Sequence, residues 1–146
     1  MTVNLAKLLK LLYRTENVCP YKLGAKWPLK SASQECIGKP VDCSGYIRWL
    51  LDRCGVTLPD GSQNQWEAVK GLGWRQLARY GDLSYAQHDP TRLFIAFKRA
   101  TKSGHGHVAL VYDGLTIESY GGHGVGRRPW KRLERYAAAC YEVPLA

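Results

Sequence analysis

Two short segments hold the residue types that nucleophilic catalysis needs: Asp42-Cys43-Ser44-Gly45 and, later in the chain, Gly106-His107-Val108-Ala109-Leu110. A thiol becomes a strong nucleophile when a base takes its proton and a positive field favours the thiolate. An imidazole supplies the first and a helix N-terminus the second. Cys43 and His107 together therefore suit hydrolysis through a covalent thioester.

The elements that must position them are readable from spacing. Cys43, Ile47, Leu50, Leu51 and Cys54 fall on one face of a 3.6-residue period, which predicts a helix over 43–54. Asp42 is the expected N-cap and Gly55 the expected C-terminal stop. Cys43 then lies in the first turn, on the face turned to the core; a plain buried cysteine is the alternative. Residues 107–112 and 115–120 flank Asp113-Gly114, the signature of a two-residue type I′ hairpin. That turn pairs Tyr112 with Leu115, Ala109 with Glu118 and His107 with Tyr120. Alternation puts His107, Ala109 and Val111 on one face with Thr116, Glu118 and Tyr120, so Glu118 is a diagonal neighbour of His107. Ala109 is small enough for the Cys43 helix to approach over this face. The alternative is the polar outer face of an ordinary hairpin.

These segments resemble the NlpC-type peptidoglycan cysteine peptidases, which have a compact papain-like fold. Tyr21-Lys22-Leu23-Gly24 is similar to the family's Tyr-x-x-Gly segment, and Leu58-Pro59-Asp60-Gly61-Ser62 to its Leu-Pro-x-x-Ser segment. Ile117-Glu118-Ser119-Tyr120-Gly121-Gly122 stands where the family keeps its third catalytic residue. The resemblance runs from about residue 13 to 143, one catalytic domain within 1–146. It implies Cys43 as nucleophile, His107 as base and Glu118 as the residue that orients the ring. Glu118 departs from the His, Asn or Gln more common there. Tyr21 and Ser44 are candidate oxyanion or substrate contacts, and His105 and His123, in Gly-rich loops flanking the expected site, are candidate substrate contacts. Nucleophile before histidine is the unpermuted order; the related lipid-modifying acyltransferases reverse it.

The remaining elements suggest an α+β fold. Helices are expected near 3–13, 43–54 and 62–71, and residues 72–91 read as loop, with breakers at Gly81-Asp82 and His88-Asp89-Pro90. Leu93–Phe97 reads as a buried strand, followed by the hairpin and a last strand near 138–143. At 146 residues, 45% of them hydrophobic, with five Trp and nine Tyr, the chain can build one core. Nothing approaches the roughly 18 apolar residues of a membrane span. Lys7 and Lys10 interrupt the N-terminal apolar run, no basic n-region precedes it and no Ala-x-Ala follows, so a signal peptide is not expected. Leu5, Leu8, Leu9 and Leu12 form an amphipathic stripe that suits a packing helix, with membrane-surface contact as the other use.

The formal net charge is +9. Arg127, Arg128, Lys131, Arg132 and Arg135 cluster after the hairpin and Lys98, Arg99 and Lys102 before it; such clusters are commonly solvated faces. They draw the protein to polyanions. Stem-peptide carboxylates and the anionic envelope fit that attraction, and no nucleic-acid motif is present. Among the five cysteines, Cys19, Cys36, Cys54 and Cys140 allow three complete pairings or none. His105 and His107 form a His-x-His pair without Cys-x-x-Cys, a poor zinc pattern. His88 is expected in a solvated turn.

The resemblance implies a cofactor-free cysteine peptidase or amidase that cuts a stem-peptide amide, favouring the γ-D-glutamyl–diaminopimelate bond. The Cys43 thiolate attacks, His107 protonates the leaving amine, and the Cys43 N–H with the Tyr21 hydroxyl stabilises the oxyanion. A wall hydrolase made in the cytoplasm without a signal would act in the periplasm or wall of a target bacterium after delivery. That setting resembles the type VI secretion amidase effectors, with an immunity protein as partner. A phage lysis or tail enzyme and an inactive binding module on the same fold are the alternatives.

Overall fold

The computed structural model describes residues 1–77, 88–102, 104–134 and 136–146. Gly81-Asp82 in the expected loop and Arg135 in the basic cluster lie outside them. Helices α1 (Leu5–Thr15), α2 (Ser33–Cys36), α3 (Cys43–Cys54) and α4 (Ser62–Gly71) come first. Strands β1 (Leu93–Lys98), β2 (His107–Tyr112), β3 (Leu115–Tyr120) and β4 (Gly124–Gly126), the short helix α5 (Lys131–Glu134) and β5 (Ala139–Val143) follow. The five strands form one antiparallel sheet in the order β4-β3-β2-β1-β5.

The hairpin has the expected register, with Tyr112 opposite Leu115 and Leu110 opposite Ile117. Asp113 and Gly114 take φ of 49° and 80°, as a type I′ turn requires. The use of its two faces is the reverse of the expectation. Val108, Leu110 and Ile117 join the main core with α3, alongside Ile95 and Phe97. Ala109 and Val111 join a second cluster on the other face, capped by Trp130 and Leu133. The helix thus packs over the larger aliphatic side chains, which bury more apolar area than Ala109 would. Cys43 and His107 are each the first residue of their element, and Cys43 comes close enough for its charge to act on the ring.

α3 is the central helix. Tyr46, Ile47, Trp49, Leu50 and Leu51 are fully buried. Trp27 packs edge-to-face on both Tyr46 and Trp49, and Trp66 of α4 stacks on Phe97 of β1. α1 starts at Leu5 because Asn4 caps it, its side chain accepting from the Lys7 N–H, while Val3 bridges to Leu145. Leu8, Leu11 and Leu12 are buried, and Thr15 shares a 2.9 Å hydrogen bond with Tyr46. The leucine stripe is spent on packing. No helix among the described residues is long and apolar enough to cross a membrane. α2, β4 and α5 carry no clear periodic signal, being three or four residues long.

Candidate active site

The nucleophile's position is built from local contacts. Asp42 caps α3, its carboxylate accepting from the Gly45 N–H at 2.7 Å. The Gly24 N–H at 3.1 Å and Lys26 Nζ at 2.7 and 2.8 Å donate to the same carboxylate. This explains Gly45: a Cβ there would sit 2.8 Å from Asp42 Oδ1 and 3.0 Å from the Ala25 carbonyl. Gln65, fully buried on α4, donates to the Ser44 carbonyl at 2.9 Å and ties the two helices together at this point. Cys43 is buried apart from a small accessible remainder of 8%.

The acid–base half is built on the sheet. Nε2 of His107 lies 2.7 Å from Oε1 of Glu118, which leaves Nδ1 for Cys43, close enough for its charge to act on the ring. Glu118 is fully buried. Arg128 grips it with both ends of its fork, Nη2 to Oε1 at 2.7 Å and Nε to Oε2 at 3.2 Å. The Thr116 hydroxyl donates to Oε2 and accepts from the Arg128 N–H at 3.1 Å. Burial alone would push Glu118 up, but the donors His107, Arg128 and Thr116 outweigh it and hold the carboxyl at about 2. Burial likewise works to lower His107, but interaction with Cys43, the hydrogen bond to Glu118 and the negative charges of both raise it to about 9. The imidazole therefore carries its proton at neutral pH, the state that partners a thiolate and serves as an acid toward a leaving amine.

Tyr21 is half-buried in the same cleft and close enough to feel Cys43: burial, then the Cys43 and Asp42 charges, raise its hydroxyl. His105 is exposed at the rim. The cleft beside His107 and Glu118 encloses about 460 Å³. Two expected contacts are placed elsewhere. Ser44 is buried, its hydroxyl accepting from Lys26 Nζ at 2.8 Å within the cap network. His123 is exposed, held by Asn17 Oδ1 at 2.8 Å and stacked on Tyr120 at 4.9 Å, so it buttresses Tyr120 instead of lining the cleft. The Arg128 guanidinium also packs on that ring, 3.8 Å from its centroid.

Arg128, Thr116 and Lys26 are the residues that sequence reasoning missed in these roles. Thr116 was on the right face of the hairpin and offered a signal. Arg128 was hidden in a basic cluster that the structure breaks up: Arg127 pairs with Glu16 at 2.9 Å, Arg128 with Glu118. All five cysteines are free and buried, and burial raises Cys54 to about 11 and Cys140 to about 12. Among the described residues no group of three or more His, Cys, Asp or Glu could hold a metal ion.

The arrangement is a thiol at a helix N-terminus, an imidazolium against it and a buried carboxylate behind the ring, which is equipment for acyl transfer from an amide. The family model for NlpC/P60 matches residues 18–132. No curated protein sequence matches the chain. Among solved structures, an NLP/P60-family protein similar to a lipoprotein from Staphylococcus aureus superposes with a TM-score of 0.61 at 18% identity, over 96% of this chain and 41% of that one. The P60 domain of a Mycobacterium avium subspecies paratuberculosis antigen gives 0.58 at 21% identity, over 96% and 93%. The peptidoglycan hydrolase RipB of Mycobacterium tuberculosis gives 0.54 at 21%, over 85% and 57%. The chain thus spans about two fifths of the staphylococcal protein and nearly all of the M. avium domain. With most of its length matched by the family model and the same fold in these structures, the chain belongs to the NlpC/P60 family.

Proposed function

We propose that this chain hydrolyses an amide bond in the peptide stems of peptidoglycan, with the γ-D-glutamyl–diaminopimelate bond as the preferred target. The observation that carries the reading is Cys43 at the start of α3, close enough to act electrostatically on His107, whose Nε2 is held at 2.7 Å by the fully buried Glu118. Family membership and the RipB likeness support peptidoglycan as the substrate. The Cys43 thiolate attacks the carbonyl carbon, and the oxyanion is met by the Cys43 N–H and the Tyr21 hydroxyl. His107 gives its proton to the leaving nitrogen as the C–N bond breaks, leaving a thioester. Water attacks the thioester, His107 takes its proton, and the freed sulfur completes the cycle.

The substrate lies outside the cytoplasmic membrane, so the site of action we propose is the periplasm or wall. The biological setting we propose is an antibacterial effector, delivered to a competitor and neutralised in the producer by an immunity protein. The net charge of +9 supports attraction to an anionic envelope. Mass spectrometry of fragments released from purified peptidoglycan tests the bond: new free diaminopimelate amines are expected, and none with Cys43→Ala. Intact stems after prolonged incubation with wild type overturn the reading. For the setting, cytoplasmic expression in a Gram-negative host should be tolerated and export by a fused signal should cause lysis; lysis that persists with Cys43→Ala argues against it.

A further inference from the structure

The cavity beside His107 and Glu118 holds more positive charge than the pair itself uses. Glu118 already has two cations, His107 and Arg128. Lys98 and Arg132 line the same cavity, and among the described residues neither meets a carboxylate. Lys98 is not a remote surface residue. It is the direct cross-strand partner of His107, so the two side chains leave the sheet on one face as neighbours. Its ammonium is 5.7 Å from the ring centroid of Tyr136, a 58% exposed tyrosine at the cleft edge. Arg132 comes from α5, whose Leu133 is turned inward against the second core cluster, leaving the arginine exposed at the cleft. A neighbouring cavity of about 330 Å³ shares Lys98 and Tyr136 and adds Arg99, so the positive strip continues outward.

Cations without a carboxylate among the described residues that line one cavity with the engaged Arg128 repel one another, and an anion entering that cavity relieves the repulsion. A compact ammonium and a planar guanidinium fork lining one cavity suit a carboxylate. We propose that Lys98 and Arg132 form an anion subsite that holds a free carboxylate of the substrate beside the scissile amide, which makes acidic, non-amidated peptides the favoured substrate class. The subsite rests on the amide-hydrolase reading for its use in turnover. Its two residues touch no reacting atom and act on substrate choice.

The test uses three synthetic stem peptides: one with both carboxylates beside the γ-glutamyl–diaminopimelate bond free, and two in which one or the other is a carboxamide. Wild type should favour the acid over at least one amide by about tenfold to a hundredfold in kcat/KM, the scale of one charge-assisted hydrogen bond, mainly through KM. Lys98→Met/Arg132→Met should bring the ratio close to one, and Lys98→Arg/Arg132→Lys should restore it. Calorimetric binding of the same peptides to Cys43→Ala protein should show the same preference without turnover. Equal binding of acid and amides by Cys43→Ala, or an undiminished preference in the double Met variant, overturns the subsite. A binding preference that disappears in the double Met variant, with no peptide cleaved by wild type, keeps the subsite and removes the hydrolase reading.

Discussion

The catalytic pair stands between two buried carboxylates that are handled in opposite ways. Asp42, on the helix side, spends its oxygens on backbone N–H groups at Gly45 and Gly24 and on the lysine that lies over them. Glu118, on the sheet side, spends its oxygens on the side chains of His107, Arg128 and Thr116. Asp42 fixes where Cys43 sits, and Lys26 keeps that nearby negative charge compensated. Glu118 helps fix what His107 is, because together with Cys43 the carboxylate holds the ring charged. One carboxylate serves geometry and the other serves protonation state, so damage to them should read out differently.

The largest effect is expected at the pair that both halves serve. Cys43→Ala and His107→Ala should each abolish release of stem fragments, with circular dichroism and thermal melting close to wild type for Cys43→Ala. Retained turnover in Cys43→Ala would break the comparison outright.

Glu118→Ala should cost on the order of tenfold to a thousandfold in kcat, through lost ring orientation and lost acid–base advantage. It should also destabilise the fold by about 3 kcal/mol in denaturant melts, because Arg128 and His107 are left without their buried partner. Glu118→Gln keeps an acceptor for the ring N–H and should be milder in both assays. Wild-type activity in Glu118→Ala would mean that the sheet-side carboxylate has no part in the chemistry.

The pH profile sharpens the contrast further. His107 is raised from 6.5 to about 9, so its contribution to stability is fully present below about 6.5 and fades as pH climbs through 9. Glu118 is lowered from 4.5 to about 2, so its contribution is present above about 4.5 and fades as pH falls through 2. Activity that needs the imidazolium should fall on an alkaline limb near 9, and Glu118→Gln should move that limb to lower pH. A limb unmoved by Glu118→Gln would show that the carboxylate does not set the state of the ring.

The smallest effect is expected on the helix side. Asp42→Ala removes the cap and should cost about 1 kcal/mol of stability. Its effect on kcat should be smaller than that of Glu118→Ala, with no shift of the alkaline limb. Gly45→Ala should be worse than a cap loss alone, since its Cβ must displace Asp42 or the Ala25 carbonyl.

The helix side was the more legible in the sequence because its contacts are short in range. The Asp42 cap, the apolar period over 43–54 and the Asp113-Gly114 turn are signals carried within a few residues, and each element lies where expected. The hairpin register also placed Glu118 diagonal to His107, since a two-residue turn leaves no freedom in the pairing. Which face of the hairpin receives α3 was misread. Alternation divides the side chains into two sets, but only the volume competition among Val108, Leu110, Ile117 and Ala109 decides which set the helix covers.

The sequence by itself determined the nucleophile's element, the histidine's strand and the carboxylate within reach of it, because helix period, strand alternation and turn chemistry are local. Tertiary structure alone decided that Arg128, one of several similar basic residues, closes on Glu118 while Arg127 goes to Glu16. It also turned Ser44 into the Lys26–Asp42 network, set His123 against Tyr120 and Asn17, and left Lys98 facing the cleft beside His107. The physical reason is that charge pairing follows distance in space, and between residues far apart in the chain that distance is set by packing, with no mark in the spacing of the letters.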